Sequence, residues 1–259
     1  MTGTGAGRAL PADYRVPGPG AARHDGRELG GGRGSGTGER LPRRAAPACL
    51  VGEDARSKEG TPFMARISLD PPKTLGYRIG ALLSRRRYGV MLDPGAAIAH
   101  NLPVGRSFAL FELQVERWRE LDRGLKDLAV MAAAARIGCA WCLDFGYWEA
   151  TMKHHVPAAK IRAVLAWRDS DEFTDLERLV LEYAEAMTDT PPGVTDEMVE
   201  RLGRELSEAE LVELTAIVAV ENLRSRMNAA LGLTAQGFKD RCETQAAGAA
   251  TGTAGSAGR

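Results

Sequence analysis

The segments "TDLE" (174–177) and "SEAE" (207–210) constrain the fold more than any other feature of the chain. In each, a hydroxyl residue stands three positions before a glutamate. Thr174 or Ser207 can therefore accept the third backbone N–H of a helix while the glutamate returns to the capping residue's own N–H. This satisfies two of the amides that a helix start leaves without partners. Behind Thr174, residues Leu176, Leu179, Val180, Tyr183, Ala184 and Met187 recur at the spacing of one helix face. Behind Ser207 a long helix is predicted to run to a stop at Gly232. Pro191, Pro192 and Gly193 break the chain between the two, and Thr195 caps a short helix over "DEMVERLGREL". Upstream, Asp93 before Pro94 and Asn101 before "LP" predict helices over 94–100 and 103–118. "DRGLKDLAVMAAAARI" predicts another over 122–137, stopping at Gly138. No run of alternating β-branched residues competes, so the expected fold class is all-α.

Composition sets the limits of this helical unit. Residues 1–62, typified by "ELGGGRGSGTGERLPRR", are rich in glycine, arginine and proline and lack an apolar period, so they are expected to form a disordered tail. Met64 is read as the natural start and the residues before it as a tail or translated upstream sequence. The Ala/Gly/Ser/Thr-rich stretch 243–259 is expected to be a second tail, leaving 64–242 as the folded domain. A formal net charge of zero argues against nucleic acid as a partner. No apolar run approaches the roughly 18 residues of a membrane span, and the first thirty residues lack the apolar stretch of a secretory signal. The chain is accordingly read as soluble and cytoplasmic, without a membrane partner.

Of the four cysteines, Cys49 and Cys242 stand alone in segments without pattern, whereas Cys139 and Cys142 share "GCAWCLDFGYWEA". Gly138 suits a helix end, so Cys139 is placed on the first turn of a new helix running to about His154. There the unpaired amides and the positive end of the helix dipole favour a thiolate. Residues three apart on a helix have Cβ atoms roughly 5–6 Å apart, close enough for a disulfide after a small adjustment. Trp141, Phe145 and Trp148 form an apolar stripe, and Cys139, Cys142 and Gly146 fall on a different face. Two other readings stand beside the reactive dithiol: a pair of small packing groups, and half of a zinc site completed by His154 and His155. On a straight helix His154 lies about 18 Å beyond Cys142, so no metal is assigned, and no cofactor either.

The stretch from Asp127 through "AVMAAAARIGCAWCLDFGYWEA", with "FTDLERLVLEYAEAMTDTPPGVTDEMVERLGRELSEAELVELTAIVAVENLRSRMNAALGL", resembles the carboxymuconolactone decarboxylase family, which includes the AhpD-type alkylhydroperoxidases. The peroxidase branch of that family carries an acidic residue, eleven intervening positions, CxxC, and a histidine four residues after the second cysteine. Position by position, the resemblance implies that Asp127 is the acid, where the family usually has glutamate. It implies that Cys139 is the resolving cysteine and proton donor, and that Cys142 attacks peroxide and becomes a sulfenic acid. The histidine position falls on Gly146, which has no side chain to relay a proton.

Three functions follow. The first is a peroxiredoxin-like thiol peroxidase or disulfide reductase that takes a hydroperoxide or other small molecule and is recycled by a thiol reductant of unknown identity, slowly for want of the histidine. The second is a non-catalytic scaffold, and the third a decarboxylase (lyase) like the family's namesake, for which Arg136, Arg224 and Arg226 are the nearby cations, with surface roles expected for all three. Asp144 is expected to be a helix-surface carboxylate, His100 a capping or core residue, and His154 and His155 a solvated helix end; His24 falls in the N-terminal tail. The resemblance also implies a homo-oligomer, a trimer or hexamer.

Overall fold

The computed structural model describes residues 65–244. The expected tail over 1–62, with Cys49 and His24, the start at Met64, and most of the expected tail over 243–259 lie outside the described residues. Among those described, the regular structure is helical throughout: α1 (Leu75–Tyr88), α2 (Asp93–Ile98), α3 (Leu102–Val115), α4 (Arg123–Ile137), α5 (Ala140–Trp148), a π-helical turn (Glu149–Lys153), α6 (Ala158–Ala163), a 3-10 turn (Val164–Asp169), α7 (Asp175–Thr188), α8 (Asp196–Gly203) and α9 (Glu208–Ala230).

The local signals explain where these helices start. Both capping boxes form, Thr174 with Glu177 at α7 and Ser207 with Glu210 at α9. Asn101, Asp122 and Thr195 accept the N–H of Val104, Leu125 and Met198 at the starts of α3, α4 and α8. Asp93 differs from expectation, because the capping position is Leu92 and Asp93 is already the first helical residue, beside Pro94. The glycine stops hold as well: Gly138 and Gly232 take up φ 79° and 69° in the left-handed region that favours glycine.

The core is built on α4. Its face of small residues, Ala129, Ala132, Ala133 and Ala134, is at most 2% exposed and lets neighbouring helices approach closely. α7 and α9 both pack along α4, and α5 folds back onto it after Gly138. A buried ion pair ties α4 to α9, Lys126 with Glu213. Glu213 also accepts the N–H of Glu120 at 2.7 Å and of Leu121 at 3.3 Å, and Lys126 Nζ donates to the carbonyl of Trp118 at 2.9 Å. Both buried charges are thus surrounded by partners, as burial demands. No helix among the described residues is long and apolar enough to cross a membrane.

Cys242 does not stand in a segment without structure. Residues 238–244 form a further helical segment in which Cys242 is buried in the main core, and Thr151 donates to its sulfur at 4.0 Å. Asp144 explains why this segment docks. It is 6% exposed rather than on the surface, and its carboxylate accepts the N–H groups of Gln236, Phe238 and Lys239 at 2.7, 3.1 and 2.8 Å. It thereby satisfies the unpaired amides at that segment's start.

Candidate functional site

Gly138 ends α4 by donating to the carbonyls of Ala134 and Ala135, and its positive φ turns the chain so that Cys139 becomes the capping residue of α5. The sulfur of Cys139 accepts the N–H of Cys142 at 3.2 Å, the contact a serine or aspartate side chain makes at an ordinary helix start. Cys139 and Cys142 are joined as a disulfide with their Cα atoms 5.3 Å apart. The two residues are 2% and 5% exposed, packed with Ala97, Ala134, Trp141 and Leu233. From α9, Asn228 Nδ2 donates to the sulfur of Cys142 at 3.3 Å. The aromatic stripe forms as expected, with Trp141 stacked on Phe145 at 4.9 Å and Phe145 against Trp148 at 5.6 Å. Phe238 closes over both Phe145 and Trp148 from the segment that Asp144 holds.

Asp127 lies on α4 two turns before Ala134, the residue that touches the cysteine pair. Its carboxylate bonds to His154 Nδ1 at 2.7 Å. Burial pushes the Asp127 carboxyl above its ordinary range, opposed by the hydrogen bond and charge of His154 and by Arg123. Arg123 Nε lies 3.0 Å from His154 Nε2. His154 is therefore no solvated helix end. The α5 helix gives way at Glu149 to a π turn that lasts to Lys153, and its wider winding changes the phase with which His154 leaves the helix. A straight 3.6-residue period does not reveal this, so the sequence carries no local signal for the contact. His155, next along, is exposed and has φ 58°. A cleft of about 200 Å³ opens beside His154, lined by Arg87, Glu116, Arg119, Arg123 and Lys153. The half-buried Glu149 accepts a hydrogen bond from Lys153, one of these lining residues, at 2.8 Å. Burial alone would raise the Glu149 carboxyl, but Lys153, His154 and Arg123 hold it below its ordinary range.

Gly146, at the position of the family histidine, is occupied on its open side by Met131. A Cβ added to Gly146 would stand 2.8 Å from the methionine sulfur. Met131 thus fills the space into which a side chain at 146 would project.

Helix α9 brings polar groups into the same region. Glu221, Ser225 and Asn228, at i, i+4 and i+7, are all buried. Ser225 donates to Glu221 at 2.6 Å, and burial pushes the Glu221 carboxyl up to about 7 against the pull of Arg224. Their spacing on one face was a usable signal, since apolar residues surround them. Arg224 is half-buried and makes a two-pronged ion pair to Glu112 of α3, with Nε donating at 2.9 Å. Of the other cations, Arg136 pairs with Asp189 at 2.6 Å at the surface, and Arg226 donates to the carbonyl of Thr188 at 3.1 Å. His100 is exposed rather than core, and its Nε2 lies 2.7 Å from the carbonyl of Ser68.

Comparison with known proteins agrees with this architecture. Residues 105–186 match the carboxymuconolactone decarboxylase family. The chain is 35% identical over 159 residues to the uncharacterised protein YnjA of Escherichia coli K12, covering 61% of this chain and 87% of that protein. Among solved structures it resembles the apo debrominase Bmp8, with TM-score 0.59 and 21% identity over 67% of this chain and 94% of that one. It also resembles an uncharacterised peroxidase-related protein with an alkylhydroperoxidase AhpD core from Ralstonia eutropha JMP134, with TM-score 0.60 and 19% identity over 70% and 96%. A peroxidase-related protein from Silicibacter sp. TM1040 has TM-score 0.61 at 12% identity over 68% and 94%. These structural likenesses are of fold. Together with the family match and the curated relative, they make this chain a member of the carboxymuconolactone decarboxylase family with the AhpD-like helical fold.

Proposed function

We propose that the chain is a thiol-dependent peroxidase that uses Cys142 and Cys139 to reduce a hydroperoxide. One observation carries the reading: a CxxC pair at a helix start, joined as a disulfide, with a donor directed at each sulfur. In the dithiol form the Cys142 thiolate attacks the terminal oxygen of the hydroperoxide. The O–O bond breaks, the departing oxygen takes a proton and leaves as alcohol or water, and Cys142 becomes a sulfenic acid. The Cys139 thiolate then attacks the Cys142 sulfur, and the S–O bond breaks as hydroxide leaves and is protonated to water. The two electrons gained by the peroxide have come from the two sulfurs, and an external thiol reductant returns them. Asp127 acts with His154 as the proton-handling pair of the site. With Gly146 in place of the family histidine, no side chain at that position relays protons between Cys142 and the Asp127–His154 pair, an effect worth roughly 10²–10⁴ in rate. Turnover is accordingly slow. A reducing, cytoplasmic setting suits a pair that must be returned to dithiols.

The reading extends to self-association as a trimer or hexamer. Its support is the apolar face of α1, where Leu75, Ile79, Leu82 and Leu83 are 74%, 51%, 50% and 58% exposed, and the exposed Leu110 and Leu113 of α3. Faces of this size are ordinarily covered by another surface.

Reduced protein exposed to one equivalent of hydroperoxide and a sulfenic-acid trap tests the mechanism. The expected result is label on Cys142 in the Cys139→Ser variant, and loss of peroxide consumption in Cys142→Ser. Undiminished consumption by Cys142→Ser would overturn the proposal.

A further inference from the structure

We propose that Asn228 is the positioning residue that sets the ionisation of Cys142, so that α9 supplies the stabilisation of the attacking sulfur that position 146 does not. The inference rests on the reading of Cys142 as the nucleophile. Among the described residues, Asn228 is the one side chain that hydrogen-bonds to either sulfur of the pair, with Nδ2 at 3.3 Å from Cys142 Sγ. The amide is 5% exposed and sits on the buried face of a 23-residue helix, so neither water nor a change of rotamer readily replaces it. Cys139, by contrast, has a backbone donor, the N–H of Cys142 at 3.2 Å. The two sulfurs are thus served by independent groups, one set by the helix start and one by a side chain that can be changed.

The surroundings leave Asn228 without a competitor. The apolar side chains clustered with the pair include Ala97 from α2, Ala134 from α4, Trp141 from α5, and Leu233, Leu231 and Ile67 from the flanking segments. Asp93 opens α2, and burial pushes its carboxyl above its ordinary range; other charged groups on those elements have partners elsewhere. Asp144 holds the amides of Gln236, Phe238 and Lys239. Arg224 is bound to Glu112, with Glu221 beside it held by Ser225. Asp127 is bound to His154, Arg136 to Asp189, and Arg66 to the carbonyls of Ala229 and Ala230. An amide N–H directed at a sulfur in apolar surroundings favours the thiolate over the thiol, because it is a weak partner for the neutral form and a strong one for the charged form. Reduction by the external thiol breaks the S–S bond and leaves the electron pair on Cys142 as a thiolate, and Asn228 keeps its donor on that sulfur.

The test is the pH profile of Cys142 alkylation by iodoacetamide in the reduced Cys139→Ser chain, where serine preserves the cap. Asn228→Ala is expected to move the inflection upward by about one pKa unit, an alkylation rate about tenfold lower on the acid side. Asn228→Asp, nearly the same shape but anionic, is expected to move it at least as far. Profiles that superimpose on that of the Asn228 chain would overturn the inference. Should the alanine variant lose its helical circular dichroism, the near-isosteric aspartate variant decides by itself. Because alkylation needs no peroxide, a shift in this profile together with unchanged peroxide consumption in Cys142→Ser would sink the peroxidase reading alone. Superimposed profiles in a chain whose peroxidase activity depends on Cys142 would sink only the role of Asn228.

Discussion

Glycine at 146 and methionine at 131 form a matched pair, and each explains the other. With a hydrogen in place of a side chain, Gly146 leaves room for the Met131 sulfur, which would stand 2.8 Å from any Cβ added there. Met131 is itself 5% exposed and part of the main core, so its thioether has little space to retreat into. Restoring the family histidine is therefore two substitutions. Gly146→His alone is expected to overpack the site and cost about 1–3 kcal/mol of stability, while Met131→Ala alone leaves a cavity costing about 2–5 kcal/mol. In the double variant the imidazole occupies the space the methionine leaves. Its loss of stability should therefore fall short of the sum by about 0.5–3 kcal/mol, the usual coupling of residues in contact. Denaturant melts of the four chains measure this, and peroxide consumption should be faster in the double variant than in Met131→Ala. Strict additivity with no gain in rate would show that the two positions do not share one space.

At the scale of the element, α9 is the unusual helix, because its buried face carries Glu213, Glu221, Ser225 and Asn228 among apolar residues. Glu213 is answered by Lys126, but Glu221 is fully enclosed and its carboxyl is pushed up to about 7 from 4.5, chiefly by burial. The folded chain therefore binds a proton at Glu221 over a pH range in which the unfolded chain has released it. By linkage, stability falls as pH rises from about 4.5 to 7, and the penalty is fully present above 7. Glu221→Gln removes that slope. Relative to the native chain, the glutamine variant should gain roughly 3 kcal/mol between pH 4.5 and 7.5, from 1.36 kcal/mol per pKa unit. Urea melts at the two pH values check this, and a difference independent of pH would refute it. The same helix shows what could be read in advance. Caps and glycine stops were legible because their partners lie within four residues, and the placement of the cysteines at a helix start followed from Gly138 for the same reason. Asp144 was not legible, since the amides it holds are 92 to 95 residues away in sequence. Nor was the ion pair of Arg224 with Glu112, which comes from α3. His154 escaped because a π turn interrupts the period on which a helix-face argument depends.

At the scale of the whole molecule, the apolar surface is unevenly distributed. The interior of the described residues closes around α4, while α1 is fastened at its C-terminal end. There Ser84 donates to the carbonyl of Val90 at 2.8 Å, Arg87 pairs with Glu116 at 2.8 Å, and Tyr88 meets Phe145 edge-on at 5.4 Å. Leu75, Ile79, Leu82 and Leu83, at i, i+4, i+7 and i+8, form a stripe on one side of this helix that the other described residues leave exposed. Fully burying side chains of this kind contributes about 1.5–3 kcal/mol each, so four of them repeated in every copy of a closed ring supply a substantial drive to associate. Sedimentation velocity at micromolar concentration is expected to give a trimer or hexamer. Ile79→Glu combined with Leu83→Glu places two carboxylates in the centre of the stripe, where desolvation opposes contact, and should shift the protein to monomer. Because both positions face away from the core, the doubly substituted chain should keep its helical circular dichroism, which separates dissociation from unfolding. A native chain that sediments as a monomer, or a double variant that associates as strongly as the native one, would show that this face is not the one through which copies meet.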